Sequence, residues 1–499
     1  MNKINKETTQ DEGPDVGTGV SHTLHSVGSL KPVTQAQGDL FDNENGEVDF
    51  RGVSWQGAAI LVTKLQIGLG VLSLPSTFHV LGFFPGILCF LILALICTVA
   101  GYVCGNARQY YPHMHSIGDA AELLFGKAAR EIVGVIYYIY VALVAGAGML
   151  AVSVALNAIS SHATCTMIFL AVACLFSLVV GTGFRSLEKV SWISWVGVVG
   201  IIASVWVTAI ACLTQDRPAA AVPDQPVNLD IRVFPNTTFI KAMSAIANQL
   251  FAVGGSGIFF TISAEMKHPH LFTRSLLCGQ SFIILTNVVI ASIVYGKVGQ
   301  YIASPALGSA GPLIKKVSYG IALPGLLVTA VLYSHTAAKY SFVRILRGTR
   351  HLQSNTMVHW AVWIGSMTVT VVFGFIIVGV VPFFDDFLSL VGALFNPVFT
   401  NIIPGCMLLF FIGRKPVKAF EGSLSSTMDT STSANHWSVD AFRAAKCGWK
   451  NAIGFAFAWF MIITGGLIIV GGTYATTLSI KSAYRDGEIS GVFSCGDNS

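Results

Sequence analysis

Some of the least apolar residues in this chain stand inside its most apolar stretches, and their types limit the chemistry open to them. The segment TKLQIGLGVLSLP, residues 63–75, sets Lys64, Gly68, Gly70 and Pro75 in a hydrophobic run. The segment FAVGGSG, residues 251–257, sets Gly254, Gly255, Ser256 and Gly257 in another. Glycine and proline open a helix and free N–H and C=O groups, which membrane interiors tolerate only where other partners or a watery cavity receive them. Amides at a half-helix N-terminus favour an anion, and freed carbonyls favour a cation. A zwitterion with adjacent carboxylate and ammonium groups suits such a break. The competing reading is close helix packing, for which small residues also serve.

Lys64 lies roughly 12 Å inside its run if that run is helical. An ammonium at that depth needs water or a partner. It can snorkel into an inner vestibule, pair with a carboxylate such as Glu265, or take the place of a bound sodium ion. His335, in another run between Ser334 and Thr336, offers either a group titrating near neutral pH or a hydrogen-bonded packing residue.

The elements that must carry these groups follow from composition. The chain has 499 residues, 53% hydrophobic and 11% charged, against about 25% charged in soluble domains. Its apolar residues gather into runs of about 20, enough to cross some 30 Å of hydrocarbon as helices. Eleven spans are read: 56–79, 83–106, 132–159, 165–184, 190–213, 242–263, 275–296, 317–339, 358–381, 387–412 and 450–474. This predicts an all-α polytopic membrane protein whose partner is the lipid bilayer. Residues 1–50 hold no apolar core, so the first span is expected to direct insertion itself. That tail is read as disordered and cytoplasmic, 413–449 as a cytoplasmic loop and 475–499 as an external tail. Residues 116–132 are read as an amphipathic helix at the inner surface. The external loop 214–241 carries the glycosylation sequon Asn236-Thr237-Thr238.

With the N-terminus inside, eighteen lysines and arginines flank spans on the cytoplasmic side and eight on the other, which sets that orientation. The net charge of +5 reflects this bias and points to no nucleic acid. Most of the ten cysteines fall within spans; Cys165, Cys212 and Cys495 lie near the outer face, where a disulfide can form.

The spans fall into two blocks of five, 51–213 and 242–412, each opening on its glycine-interrupted helix. Five is odd, so the blocks insert with opposite orientation. Paired interruptions at matching places in inverted halves point to a transporter's binding site.

The chain also resembles the amino acid/auxin permease family, and within it the fungal neutral and aromatic amino acid permeases. The resemblance rests on QIGLGVLSLPSTFHVLG (66–82), GDAAELLFG (118–126), NQLFAVGGSGIFFTISAEMKHP (248–269), GQYIASPALGSAGP (299–312), SHTAAKYSFVRILRG (334–348) and LSLVGALFNPVF (388–399). It implies a LeuT-like 5+5 inverted repeat with an eleventh transmembrane helix, and secondary transport of amino acids, usually coupled to protons. By resemblance, Gly68, Leu69, Gly70, Val71 and Leu72 should hold the substrate carboxylate. Phe251, Gly254, Gly255 and Ser256 should flank the amino group and side chain, and Tyr140 should wall the cavity. Span eight hydroxyls such as Ser334 would serve ion coupling with Lys64 and His335. Lys64 stands where asparagine is common in the family, and Val253 where tyrosine is frequent. A plasma membrane location is favoured over the vacuole.

No catalytic cluster, metal-ligand spacing or phosphate loop accompanies these features, so neither an enzyme nor a cofactor is expected. A receptor for amino acids on the same fold, transporting weakly or not at all, is the alternative; its short tail speaks mildly against it.

Overall fold

The structure is a computed structural model that describes residues 52–111, 114–184, 187–221, 226–352, 354–381, 384–421, 437–485 and 493–496. The expected disordered tail, 1–50, lies outside them.

Among the described residues nine helices are long and apolar enough to cross a membrane, and two bent helix pairs bring the number to eleven. Span one consists of Trp55–Ile67 and Gly70–Leu81, span two of Phe83–Tyr110 and span three of Lys127–Ser160. Spans four and five are Thr166–Gly183 and Leu187–Thr214. Span six consists of Phe239–Val253 and Ser256–Ala264, followed by span seven, Phe272–Val298. Spans eight and nine are Pro312–Leu346 and Met357–Val380. Span ten consists of Phe384–Leu394 and Ile403–Glu421 about a wide turn, Val398–Ile402. Span eleven runs from Trp449 through a similar turn to Arg485.

The packing pattern shows the repeat. Span one packs on spans seven and five, and span six packs on spans two and ten. Span three packs on spans four, eight and nine, and span eight on spans nine, three and four. Exchanging each span with the one five later reproduces the same neighbours. With an odd number of spans per block, the two blocks are inverted copies of one arrangement. Spans three and eight form the central pair, and small residues let them meet. A Cβ on Gly148 of span three would come 2.9 Å from the Ala330 Cα of span eight. The apolar residues of spans four and five that face outward, such as Leu175, Val179, Trp192 and Val199, are exposed, as a lipid-facing surface requires.

Several expectations need correction. The amphipathic helix spans only Ile117–Phe125: Ser116 and Asp119 close a capping box at its start, and Gly126 (φ +87°) ends it. Lys127 then opens span three, five residues earlier than read from hydropathy. Within the loop expected over 413–449, Trp437–Lys446 is a helix whose Trp437 indole donates 3.3 Å to the Leu124 carbonyl. Span eleven reaches Arg485, into the expected tail 475–499. Cys165 and Cys495 form a disulfide that ties the tail to the start of span four.

Candidate functional site

The two interruptions fall where the glycines stand. Span one stops at Ile67 and restarts at Gly70, with a bend of 45°. Span six stops at Val253 and restarts at Ser256. The breaks are held by side chains from elsewhere. The Leu65 carbonyl, in the last turn before the first break, accepts 2.6 Å from the Tyr333 hydroxyl of span eight. Leu250, in the last turn before the second break, gives its carbonyl to Asn396 Nδ2 at 2.7 Å. Such substitutes are what a helix broken in lipid requires.

The glycines also permit close approach. A Cβ on Gly68 would lie 2.7 Å from Thr329 Oγ1, and one on Gly70 would lie 2.6 Å from the Ala252 Cα. The first break therefore sits directly on the last turn before the second. A Cβ on Gly254 would collide with the Asn396 amide, and one on Gly257 would come 3.0 Å from the Tyr137 ring. Helix opening and tight packing, alternatives in the sequence, are here the same device. Val71 and Leu72 lie in the first turn of the second half of span one rather than in an unwound segment, and Leu72 N donates to the Leu69 carbonyl at 3.2 Å.

Asn396 is the hub that the sequence reading missed. Its Oδ1 accepts from the Tyr140 hydroxyl at 3.3 Å and from Thr400 Oγ1 at 2.9 Å. Ser256 Oγ donates to the Phe399 carbonyl at 2.9 Å, and the Tyr140 ring lies 5.2 Å from that of Phe399. Asn396 sits in a third interruption. Span ten, read as one continuous helix over 387–412, bends by 41° around Pro397. The signal was available in FNPVF: a polar residue before a proline within an apolar run. Phe251, Gly254, Gly255, Ser256 and Tyr140 are thus gathered with Asn396, all buried.

Lys64 is completely buried. Its Nζ donates to the Gly325 carbonyl at 2.8 Å and to Thr329 Oγ1 at 2.7 Å, both on span eight. Gly197 of span five closes the cage: a Cβ there would lie 3.0 Å from Lys64 Cε. Neither a vestibule nor Glu265 receives this lysine. Glu265 is taken by Lys339, at 2.6 Å.

Two expected members stand apart. The hydroxyl that meets Lys64 is Thr329, not Ser334, which lies farther along span eight with its Oγ buried and without a hydrogen bond among the described residues. His335 packs edge-on against Trp363 of span nine, with ring centroids 5.3 Å apart. Both stand on the same helix as Thr329, at a later turn.

The centre is flanked by two cavities. One, of about 660 Å³, is lined by the second half of span one, the first half of span six, the start of span ten and span eleven, on the side of the disulfide. The other, of about 80 Å³, is lined by Asp119, Arg130, Lys339, Tyr340, Arg344 and Arg347 on the opposite side. Asp119 there accepts from the His115 N–H at 3.0 Å and from Arg347 at 3.1 Å. Burial alone would raise its carboxyl. The His115 N–H and the Arg347 and Arg130 guanidiniums outweigh that and hold it below the usual carboxylate range. Asn236 is exposed in the loop before span six, and Thr238 of its sequon caps that helix at Lys241 N.

Known proteins similar to this chain are transporters by name. A transmembrane transporter of Gibberella moniliformis is 30% identical over 461 residues, covering 92% of this chain and 91% of that protein. The N amino acid transport system protein of Neurospora crassa is 26% identical over 468 residues, covering 92% of each. Among solved structures, MhsT in complex with L-phenylalanine is similar at a TM-score of 0.49 and 13% identity, covering 84% of this chain and 99% of that one. The family described as transmembrane amino acid transporter protein matches residues 51–430, and the chain belongs to that family, a multi-pass membrane transporter.

Proposed function

We propose that this chain carries neutral amino acids across the membrane by alternating access, driven by a proton gradient. The observation that carries the reading is the seating of the two helix breaks on one another, Gly70 against Ala252, with Lys64 caged one turn away. Amides at the start of Gly70–Leu81 and carbonyls before Gly254 supply the complementary ends that a zwitterion needs. Gly68, Leu69, Gly70, Val71 and Leu72 then bind the carboxylate. Phe251, Gly254, Gly255, Ser256 and Tyr140 surround the ammonium and side chain. Neutral substrates fit because the breaks are lined by glycine, aromatic and hydroxyl groups. The name of the Neurospora relative supports amino acids as the cargo.

Lys64 occupies a span-one to span-eight cation position with a fixed positive charge, which favours protons over sodium as the coupling ion. The disulfide supports an oxidising compartment for the 660 Å³ cavity, hence an external C-terminus and cytoplasmic N-terminus. Asn236 on that side is then available for glycosylation.

The test is tracer flux in proteoliposomes holding the purified full-length chain, with labelled L-phenylalanine and L-leucine. Accumulation under an inward acid gradient, without sodium, is expected. Uptake that requires sodium and ignores pH would overturn the coupling. Binding without flux would replace the carrier with a receptor. Gly70→Val should abolish uptake, because its side chain would enter the Ala252 backbone.

A further inference from the structure

Asp385 opens span ten at the wall of the 660 Å³ cavity, and nothing in the site described above uses it. Its Oδ2 accepts from Ser76 Oγ in span one at 3.0 Å. Ser76 Oγ also lies 2.7 Å from the Ser73 carbonyl, so its single proton has two competing acceptors. Ser73 Oγ in turn lies 2.9 Å from Asn248 Oδ1 of span six and 3.2 Å from the Gly70 carbonyl at the break. Two serines bonded to span-one backbone carbonyls therefore link this carboxyl to the glycine on which the proposed substrate site turns. Asp385 Oδ1 is sealed from solvent without a well-formed hydrogen bond among the described residues, with the Ser304 hydroxyl and Asn248 alongside.

The charged groups around it can be named element by element. Its own helix adds Asp386, whose Oδ1 accepts from Ser479 of span eleven at 2.9 Å. Span six contributes Lys241, and span eleven Lys481 and Arg485, all lining the same cavity. The second half of span one holds one titratable residue, His79, packed 6.2 Å from the Tyr295 ring. The segment between spans seven and eight adds Tyr301. Among the described residues none of these forms an ion pair with Asp385, unlike Glu265 at the other end of the molecule, which has Lys339 at 2.6 Å.

We propose that Asp385 is the carboxyl that takes up the coupling proton from the large cavity, an inference that rests on the proton-driven function above. With the cavity open, water and its basic rim support the ionised form. Closing the cavity strips that water away, and burying a lone carboxylate is costly unless it is neutralised. A proton from the cavity water forms an O–H bond on Asp385 and removes the charge, so closure and proton uptake favour one another. The same proton turns Asp385 from acceptor to donor and frees the Ser76 hydroxyl for the Ser73 carbonyl. Span one and span ten are then tied by a different bond in each protonation state. When the opposite side opens and admits water, the O–H bond breaks, water on that side takes the proton, and Asp385 is ionised again as the substrate leaves.

The experiment uses the full-length chain in proteoliposomes, with labelled L-phenylalanine and L-leucine, measuring net accumulation against external pH and exchange without a gradient. Asp385→Asn should lower accumulation at least about fivefold, the low end of ordinary coupling, and flatten its pH response. Exchange should persist, because exchange moves no net proton. Asp385→Glu should restore accumulation, and Ser76→Ala should displace the pH midpoint while retaining accumulation. Wild-type accumulation and pH response in Asp385→Asn would overturn the assignment and leave proton coupling standing. A wild type indifferent to the pH gradient would overturn both, before any variant is made. Should Asp385→Asn lose exchange as well, Asp385→Glu and Ser76→Ala decide: unshifted profiles in both overturn the assignment, and a shift in either supports it.

Discussion

Lys64 and Lys339 are both buried lysines, yet they are held in opposite ways. Lys339 of span eight meets the Glu265 carboxylate at the end of span six, at 2.6 Å. Lys64 of span one meets a carbonyl and a hydroxyl of span eight. The first is a pair whose charges cancel. The second is a charge held only by dipoles, the ligand set that a small cation would choose. The surroundings repeat the contrast. Glu265 also gives its backbone carbonyl to Val53 N at 3.0 Å, and Lys267 N returns to the Val53 carbonyl at 2.9 Å, so the chain before span one is strapped to the end of span six. Lys64 has no such strap and lies within a turn of the first break. A neutralised pair acts as a lock; a lone ammonium among dipoles is the fixed charge that the proposed coupling needs in place of a bound cation.

The largest effect should come from unbalancing the lock. Glu265→Ala leaves the Lys339 ammonium buried without its carboxylate and should cost about 3–5 kcal/mol of stability. Glu265→Leu with Lys339→Met should recover most of that loss, read as thermal unfolding in detergent. Similar melting of the single and double variants would show that the pair is not a lock.

Next comes the unbalanced charge itself. Lys64→Ala should lose net accumulation by up to about 150-fold, the upper range of ordinary coupling, while exchange remains measurable. Lys64→Arg should be a poor substitute, since its planar guanidinium does not fit beside Gly197. An active, pH-responsive Arg variant would erase the distinction between the two lysines.

A smaller effect should follow from thinning the cage. Thr329→Val keeps the shape but removes one of two ligands to an ammonium, worth about 1.5 kcal/mol or roughly tenfold in accumulation. No change would mean that the Gly325 carbonyl suffices.

The smallest belongs to the rim of the lock. Asp119→Asn loses partly exposed arginine contacts and should cost less than about 1 kcal/mol. Because the folded protein holds this carboxyl below its ordinary range, its contribution is complete at neutral pH and is lost as pH falls through that lowered value. Melting curves of wild type and variant should therefore converge in acid; a gap that widens there would contradict the assignment.

Much of this protein can be read from local sequence. Runs of apolar residues locate eleven spans, because hydrocarbon admits only helices of sufficient length. Glycines at 68, 70, 254 and 255 locate two breaks, because glycine alone combines weak helix preference with room for a neighbour's backbone. Two such breaks opening blocks of similar length announce the inverted repeat. The bend at Pro397 was legible too, and was overlooked in the strength of its apolar run. What surrounds the breaks was not legible. Thr329 and Gly325 reach Lys64 across 265 and 261 residues of sequence, and Asn396 reaches Leu250 across 146. A buried lysine announces only that it needs a partner. Which of Thr329, Ser334 and Glu265 supplies it depends on the rotation and depth of one helix against another, where a single turn of span eight separates a cation cage from a packing face. That choice belongs to the packing of whole spans, since local composition is equally satisfied by either.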